Sequence, residues 1–148
     1  MNFEFSADQM QLKDIARKFL EKENAVKRAR NVLEGEESFD ENLWQQIIEM
    51  GFTATAIPEE YGGLGLGYLE LCVIAEELGR SLAPTPFSSS VYLATEAILN
   101  SGDDSLKQNY LPSLANGEKI GSFAHSESNT SPTESNIQCN VSGNALSG

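Results

Sequence analysis

The chain has 148 residues and a mass of 16.1 kDa, enough for one ordinary domain with its own core or slightly more. Apolar residues make up 40% of the sequence, which excludes wholesale disorder, and no apolar run reaches the ~18 residues that a membrane span needs. The formal net charge is −12 and only three of the ten basic residues follow Asn31, so the surface repels phosphate backbones and nucleic-acid binding is disfavoured.

The N-terminal stretch predicts one amphipathic helix and then an ambiguous polar segment. Ser6 and Gln9 form a capping-box pattern, and apolar positions follow at helical spacing. These positions are Leu12, Ile15, Ala16, Phe19 and Leu20. The cations on the other face are interpreted as solvated: Lys13, Arg17 and Lys18. Residues 24–37 are polar and weakly patterned, so a second short helix and a linker both stay open.

The next pattern predicts a helix that leads into an irregular loop. Ser38 and Glu41 form a second capping-box pattern, an apolar stripe follows, and Gly51 ends the helix. The short segment of residues 53–57 is rich in β-branched side chains. Residues 58–67 are so rich in glycine and proline that neither a helix nor a central strand fits them. Their glycine spacing does not match a dinucleotide-binding loop, so we interpret the loop as a structural turn.

Three more helices are predicted, over residues 68–82, 87–100 and 103–114, because apolar residues recur there at helical spacing. The inward face of the first includes Leu71, Ile74, Ala75, Leu78 and Leu82, and that of the last Leu106, Tyr110 and Leu114. Neighbours on a helix point about 100° apart, so Glu76 and Glu77 are interpreted as solvated and not as a shared site.

The pattern changes at Ile120, where apolar and polar residues begin to alternate as in a strand. Residues 120–126 and 137–141 are therefore predicted strands, and Gly143 begins a hairpin turn into a third. We expect a helical domain over residues 1–118 and the start of a β domain over residues 119–148. Two or three strands alone make a poor sheet. The sequence is therefore expected to be cut within that second domain.

The remaining local features point to no catalytic or metal chemistry of their own. Cys72 and Cys139 are expected to be two buried free thiols and not a disulfide. The single histidine, His125, has no partner at a recognisable spacing, and no metal-ligand motif is present. The first residues lack the basic and apolar regions of a targeting segment, so a cytoplasmic location is expected.

Several motifs together resemble the acyl-CoA dehydrogenase family. Residues 58–65, P-E-E-Y-G-G-L-G, resemble the family's P-E-x-Y-G-G-x-G loop, and residues 75–79, A-E-E-L-G, resemble its E-E-L helix. Residues 111–121 resemble the L-P-x-L-x-x-G segment that leads into the first β-strand. The resemblance implies a mainly α fold, in which the family's N-terminal helical domain is followed by the first strands of a truncated, β-barrel-like middle domain. Residues 72–93 further resemble the small-subunit type, such as the small subunit of pimeloyl-CoA dehydrogenase.

The resemblance implies an FAD-dependent oxidoreductase that converts an acyl-CoA to the trans-2-enoyl-CoA and passes its electrons to an electron-transfer acceptor. The family's catalytic glutamate lies beyond the β domain, so no residue of this chain is assigned as the base, and the chain alone is expected to be inactive. The residues implied at the flavin are Phe123, His125 and Ser126. Those implied at the acyl slot are Thr85, Ser88, Ser89 and Tyr92. Ordinary strand and helix packing is the alternative role for both groups.

One departure from the family keeps a second function open. The family continues with E-P-G-x-G-S-D near the flavin, whereas here Glu127 is followed by S-N-T-S-P-T without glycine. The chain could therefore belong to a non-catalytic subunit with a degenerate flavin site. Either way the resemblance implies a homo- or hetero-oligomer with other acyl-CoA dehydrogenase subunits. A free-standing helical binding module is disfavoured, because it would leave strand edges exposed.

Overall fold

A computed structural model describes residues 4–124, 127 and 136–147 of the chain. The fold is mainly helical, as predicted, with a short β-hairpin near its C-terminal end. The helices are α1 (Ala7–Lys22), α2 (Ala25–Glu34), α3 (Glu41–Glu49), α4 (Tyr68–Arg80), a π-helix (Ser88–Thr95) that continues directly into α5 (Glu96–Leu99), and α6 (Asp104–Ala115). The strands are β1 (Asn140–Ser142) and β2 (Ala145–Ser147).

The core consists of two apolar clusters between these helices. In the larger one, α1 packs along α4, and α3 and the π-helix close the sides. Its largest fully buried members are Leu20, Leu43, Ile47 and Ile74. The smaller cluster joins α6 to the segment after α3 and includes Ile57, Leu111 and Leu114. The helical stripes of the sequence therefore produce most of the core, although Ile15 on α1 is 42% exposed and lies outside it.

The caps of α1 and α3 have different outcomes. At α1, Ser6 Oγ accepts from the Gln9 N–H and Gln9 Oε1 accepts from the Ser6 N–H, so the predicted capping box is confirmed. The second capping box is wrong, because α3 begins at Glu41 and its N-cap is Asp40. The Asp40 carboxylate accepts from the N–H of Leu43 at 2.8 Å, which fills the position assigned to Ser38.

The ambiguous polar segment folds largely as a helix, α2, and it is held by charge pairing more than by apolar burial. Its N-cap, Asn24, has a left-handed backbone with φ of 52°. The Arg28 guanidinium donates to both carboxylate oxygens of Asp40, at 2.9 and 3.1 Å, and to Glu23. The bond to Asp40 is the main cause that raises the pKa of Arg28. Partial burial acts to raise the pKa of Asp40, but the hydrogen bonds from the Leu43 N–H and from Arg28 lower it overall.

Three helix predictions need correction. The helix predicted over residues 68–82 ends at Arg80, because Leu82 adopts a left-handed backbone (φ 50°) and points away from the core at 63% exposure. The helix predicted over residues 87–100 begins with π-helical turns instead of a regular α-helix. On α6, Leu106 and Tyr110 are exposed, since the turn that faces the core carries Leu111 and Ala115 beside the predicted Leu114.

The segment between α3 and α4 is a compact irregular loop. The β-branched residues 53–57 begin in a 3₁₀ turn (Phe52–Ala54) and not in an extended strand, and a second 3₁₀ turn covers Glu59–Tyr61. The second turn corrects the expectation that the whole glycine-rich stretch is non-helical. A Cβ at Gly63 would lie 1.9 Å from the Ile57 carbonyl oxygen, so only glycine allows this close approach. This contact supports the interpretation of the loop as a structural turn.

The predicted strands are only partly present. Residues 120–124 are not assigned to a strand in the described part of the chain, so that part of the first predicted strand is wrong as a strand. The strand predicted over residues 137–141 is shorter than expected, because β1 begins only at Asn140. It pairs antiparallel with β2 in the register Asn140↔Ser147, and Gly143 (φ 60°) makes the predicted turn. The boundary between domains at residue 118 stays a prediction.

Two faces that the sequence analysis treated as solvated contact each other instead. Because α1 and α4 lie side by side, Lys13 Nζ reaches Glu76 at 2.8 Å, and Arg17 Nη2 reaches Glu77 at 2.7 Å. The Glu77 side chain is fully buried at this contact. The prediction of solvated faces is therefore wrong for Glu77 and Lys13, whereas Glu76 and Arg17 keep 53% and 38% of their side-chain surface exposed. Sequence periodicity alone could not show which helices are neighbours.

The cysteine prediction is correct in one respect and wrong in another. Both thiols are free, as predicted. Cys72 is exposed on the outer side of α4, and Cys139 is only partly buried beside the hairpin, so the expectation of two buried thiols is wrong.

Candidate functional site

The π-helix separates two cavities that contain most of the described candidate residues. The smaller one, which we call the α4 cavity, has a volume of about 200 Å³ and lies between α4 and the start of the π-helix. The larger one, the Phe123 cavity, has a volume of about 390 Å³ and lies between α5, α6 and residues 119–123.

The α4 cavity brings together three of the four residues predicted for the acyl slot. Thr85, Ser88 and Tyr92 all line it, beside apolar side chains of α4. The Tyr92 ring packs edge-on against Phe87, with 5.2 Å between ring centroids. Ser89 does not line the cavity, and its hydroxyl donates to the Pro86 carbonyl at 3.1 Å. Ser89 therefore serves a local backbone bond in this structure.

Tyr92 is a polar residue of the α4 cavity whose pKa is strongly shifted. Burial raises the pKa of its phenol to about 12, and the nearby Cys72 contributes in the same direction. The phenol is therefore neutral at physiological pH and can donate one hydrogen bond into the cavity. It is suited to binding an oxygen atom of a ligand and not to abstracting a proton.

The Phe123 cavity is mainly apolar and has a cation at its rim. Ala94, Ala97 and Ile98 form the wall on the helix side, and Phe123 lies on the opposite segment. The Lys119 ammonium lies 4.8 Å from the centre of the Tyr110 ring, where it makes a cation–π contact. A cavity with this lining favours a flat or extended apolar group.

The predicted flavin residues are only partly placed by the structure. Phe123 is described and is 47% exposed at its cavity. His125 and Ser126 lie outside the described residues. Phe123 lies on the other side of the π-helix from Thr85, Ser88 and Tyr92, so the described flavin and acyl-slot candidates do not share one cavity. Their individual roles stay predictions.

Sequence reasoning missed Ser90 and Gly121, which form the contact between the π-helix and the Phe123 segment. Ser90 is buried, and its Oγ accepts from the Gly121 N–H at 3.2 Å. Helical spacing held a signal for Ser90, because it lies four residues before the buried Ala94 and next to the buried Val91. Nothing in the sequence indicated which N–H the hydroxyl would bind.

Neither a cluster of metal-ligand side chains nor a membrane-spanning helix occurs among the described residues. Among residues 4–124, 127 and 136–147, no three His, Cys, Asp or Glu side chains lie close enough together to hold a metal ion. No helix in the same part of the chain is long and apolar enough to cross a membrane.

Comparison with known proteins decides the family. The sequence profile of the acyl-CoA dehydrogenase N-terminal domain matches residues 6–118. This chain belongs to the acyl-CoA dehydrogenase family. It is 34% identical over 139 residues to the mitochondrial isovaleryl-CoA dehydrogenase of Arabidopsis thaliana, which covers 91% of this chain and 34% of that protein. The chain therefore spans about a third of the length of this curated relative.

Solved structures show the same family fold. A chain in the structure of the electron transferring flavoprotein of Acidaminococcus fermentans matches with a TM-score of 0.82 and 30% identity, over 99% of this chain and 39% of that one. The ChsE4–ChsE5 complex of Mycobacterium tuberculosis matches with a TM-score of 0.81 and 28% identity, over 99% and 39%. An acyl-CoA dehydrogenase of Bacillus anthracis complexed with FAD matches with a TM-score of 0.75 and 27% identity, over 86% and 22%.

Of the residues predicted to contact the flavin, the described part of the chain includes only Phe123, and its surroundings are compatible with a flavin ring. The family is FAD-dependent. Phe123 lines an apolar cavity, which suits contact with the flat ring system of a flavin. The polar contacts predicted for the ring's pyrimidine edge fall on His125 and Ser126, outside the described residues.

Proposed function

We propose that this chain is the N-terminal portion of an FAD-dependent acyl-CoA dehydrogenase that oxidises an acyl-CoA to the trans-2-enoyl-CoA. The observation that carries the proposal is the match of the family's N-terminal domain to residues 6–118. The apolar cavities on both sides of the π-helix support it, because the reaction needs a water-excluding slot.

In this proposal the residues of the chain bind and orient, and they do not carry out the proton transfer. FAD, when bound, supplies the hydride acceptor for the β-carbon. Phe123 packs beside the flavin ring, and Thr85, Ser88 and Tyr92 form a wall of the acyl slot. The base that removes the α-proton is a glutamate of a later domain. We therefore expect this chain to be inactive alone.

The proposal includes partners that the family's architecture requires. The acyl-CoA is the substrate, an electron-transfer acceptor reoxidises the flavin, and other acyl-CoA dehydrogenase subunits complete a homo- or hetero-oligomer. The likeness to a chain of the ChsE4–ChsE5 complex supports the hetero-oligomeric form. We propose a cytoplasmic location for the assembled enzyme.

A second candidate function is a non-catalytic subunit with a degenerate flavin site. It is favoured by the region after Glu127, where the family's glycine-rich loop is replaced. The Glu127 carboxylate accepts from the backbone N–H groups of Gln138 and Cys139, so it is occupied with holding the approach to β1. Such a subunit would assemble with a partner that binds flavin.

One experiment separates the two candidates. The full-length protein is purified, its visible flavin absorbance is recorded, and acyl-CoA oxidation is assayed with an artificial electron acceptor. A yellow protein that reduces the acceptor supports the dehydrogenase. A folded, colourless and inactive protein that gains activity only when mixed with a flavin-binding partner supports the second candidate and refutes the first.

A further inference from the structure

Ser90 joins the π-helix to the segment that carries Phe123. Its side chain is 1% exposed, and its Oγ accepts the 3.2 Å hydrogen bond from the Gly121 N–H. Gly121 belongs to no sheet within the described part of the chain. In a sheet, the Gly121 N–H would donate to a carbonyl of the neighbouring strand. Here the Ser90 hydroxyl oxygen accepts from this N–H instead.

The backbone at Gly121 lies directly against the helices. A Cβ added there would lie 2.4 Å from the Cβ of Ala94 and 3.4 Å from Cδ2 of Leu114. The first distance is too short for any side chain, and the neighbouring atom belongs to a short residue fixed to the helix backbone. Only glycine therefore allows the segment to approach closely enough for the Ser90 bond.

The hydrogen bonds of the neighbouring serines show that this contact is specific to Ser90. Serine hydroxyls in helices commonly bond to a carbonyl of the preceding turn, and Ser89 does so with Pro86. Ser90 instead bonds across 31 residues to Gly121. The Ser90 carbonyl accepts from the buried Thr95 hydroxyl at 2.9 Å, five residues later along the π-helix. π-Helical turns occur frequently at functional sites.

The position of Phe123 follows from this anchor. Phe123 is only two residues from Gly121, so the backbone keeps their Cα atoms within about 7 Å of each other. Both residues line the Phe123 cavity. Fixing the backbone at Gly121 against the π-helix therefore limits where the Phe123 ring can lie on the cavity wall.

We propose that Ser90 is a positioning residue that acts through Gly121 to hold Phe123 at the cavity. The inference rests on the proposed function, in which the Phe123 ring packs beside the flavin. Loss of the hydroxyl frees the Gly121 N–H and loosens the segment, and the environment of the flavin changes with it.

The test compares Ser90→Ala with Ser105→Ala in the full-length holoenzyme. Ser105 is exposed at the start of α6 and its hydroxyl donates to Asp103, so Ser105→Ala removes a bonded hydroxyl without touching Gly121. The measurements are the visible flavin spectrum, the FAD dissociation constant and amide hydrogen exchange at Gly121. For Ser90→Ala we expect a shifted spectrum, and an FAD dissociation constant and an exchange rate that each rise about 2- to 10-fold, as loss of one buried hydrogen bond implies. Ser105→Ala should leave all three unchanged.

The outcomes separate this inference from the proposed function. A flavin-containing wild type in which Ser90→Ala matches Ser105→Ala in all three measurements overturns the positioning role alone. A colourless wild type refutes the flavin assignment, and the exchange rate at Gly121 then decides whether Ser90 holds the segment. If Ser90→Ala cannot be isolated folded, Gly121→Ala displaces the segment while keeping the hydroxyl. An unchanged spectrum and FAD affinity in that variant overturn the inference.

Discussion

Replacing Arg17 by alanine should strongly destabilise the helical domain, because it leaves a buried carboxylate with poorer partners. Arg17 donates to both oxygens of Glu77, at 2.7 and 3.0 Å, and the Glu77 side chain is fully buried. Losing one partner of a buried ion pair costs about 3–5 kcal/mol. Arg17 is itself 38% exposed, and Arg80 and Lys13 remain 3.4 and 4.0 Å from the carboxylate. We therefore expect a loss of about 2–3 kcal/mol, below the full buried-pair value.

Urea unfolding followed by tryptophan fluorescence measures this loss. Trp44 is the single tryptophan of the sequence and is buried in the core that α1 and α4 share, so its emission reports unfolding of this domain. Arg30→Ala is the matched control, because Arg30 is exposed on α2 and makes no ion pair with a described residue. Its effect should stay within about 0.5 kcal/mol. Equal unfolding free energies for Arg17→Ala and Arg30→Ala would refute the reasoning.

Three further predictions follow from single contacts. The hydrogen bond from Arg17 is the main cause that lowers the pKa of Glu77 below its ordinary value of 4.5. The stability that ionised Glu77 contributes is therefore present above pH 4.5 and is lost as the pH falls through the folded pKa. In urea unfolding, Glu77→Gln should lose less unfolding free energy on acidification than the wild type does. An equal loss in the two proteins would contradict this prediction. Gly117 and Gly102 both have φ of 74°, but a Cβ would lie 2.2 Å from Ile48 only at Gly117. Gly117→Ala should therefore lower the unfolding free energy by at least about 1 kcal/mol more than Gly102→Ala, and equal losses would show that the clash is relieved without cost. Cys72 should react with a thiol reagent in the folded protein, and protection until unfolding would show that it is covered.

Much of the helical architecture could be predicted from the sequence, because local chemistry specifies it. The Ser6–Gln9 capping box, the Gly51 terminus and the apolar stripe of α3 depend on residues within a few positions of one another. The motifs between residues 58 and 121 were also sufficient to predict the family, and the profile match to residues 6–118 confirms it. Repeated local patterns of this kind need no knowledge of the packing.

The errors occur where a partner distant in sequence decides the outcome. Arg28 and Asp40 pair across 12 residues and hold α2 beside the start of α3, so Asp40 and not Ser38 caps that helix. Residues 120–124 alternate as a strand should, but a strand needs a neighbour to share its hydrogen bonds. Periodicity describes one segment at a time and contains no information about which segment lies beside it.

The candidate site shows the same division between sequence and tertiary structure. The sequence by itself determined the residue types available: three successive serines from Ser88, the aromatic ring of Phe123 and the cation of Lys119. Tertiary structure decided that Ser88 faces one cavity, Ser89 a local carbonyl and Ser90 a distant N–H. The physical reason is that a hydroxyl binds whichever donor or acceptor the packing brings within about 3 Å. Which group that is depends on how the helices and residues 119–123 pack together, and not on the serine itself.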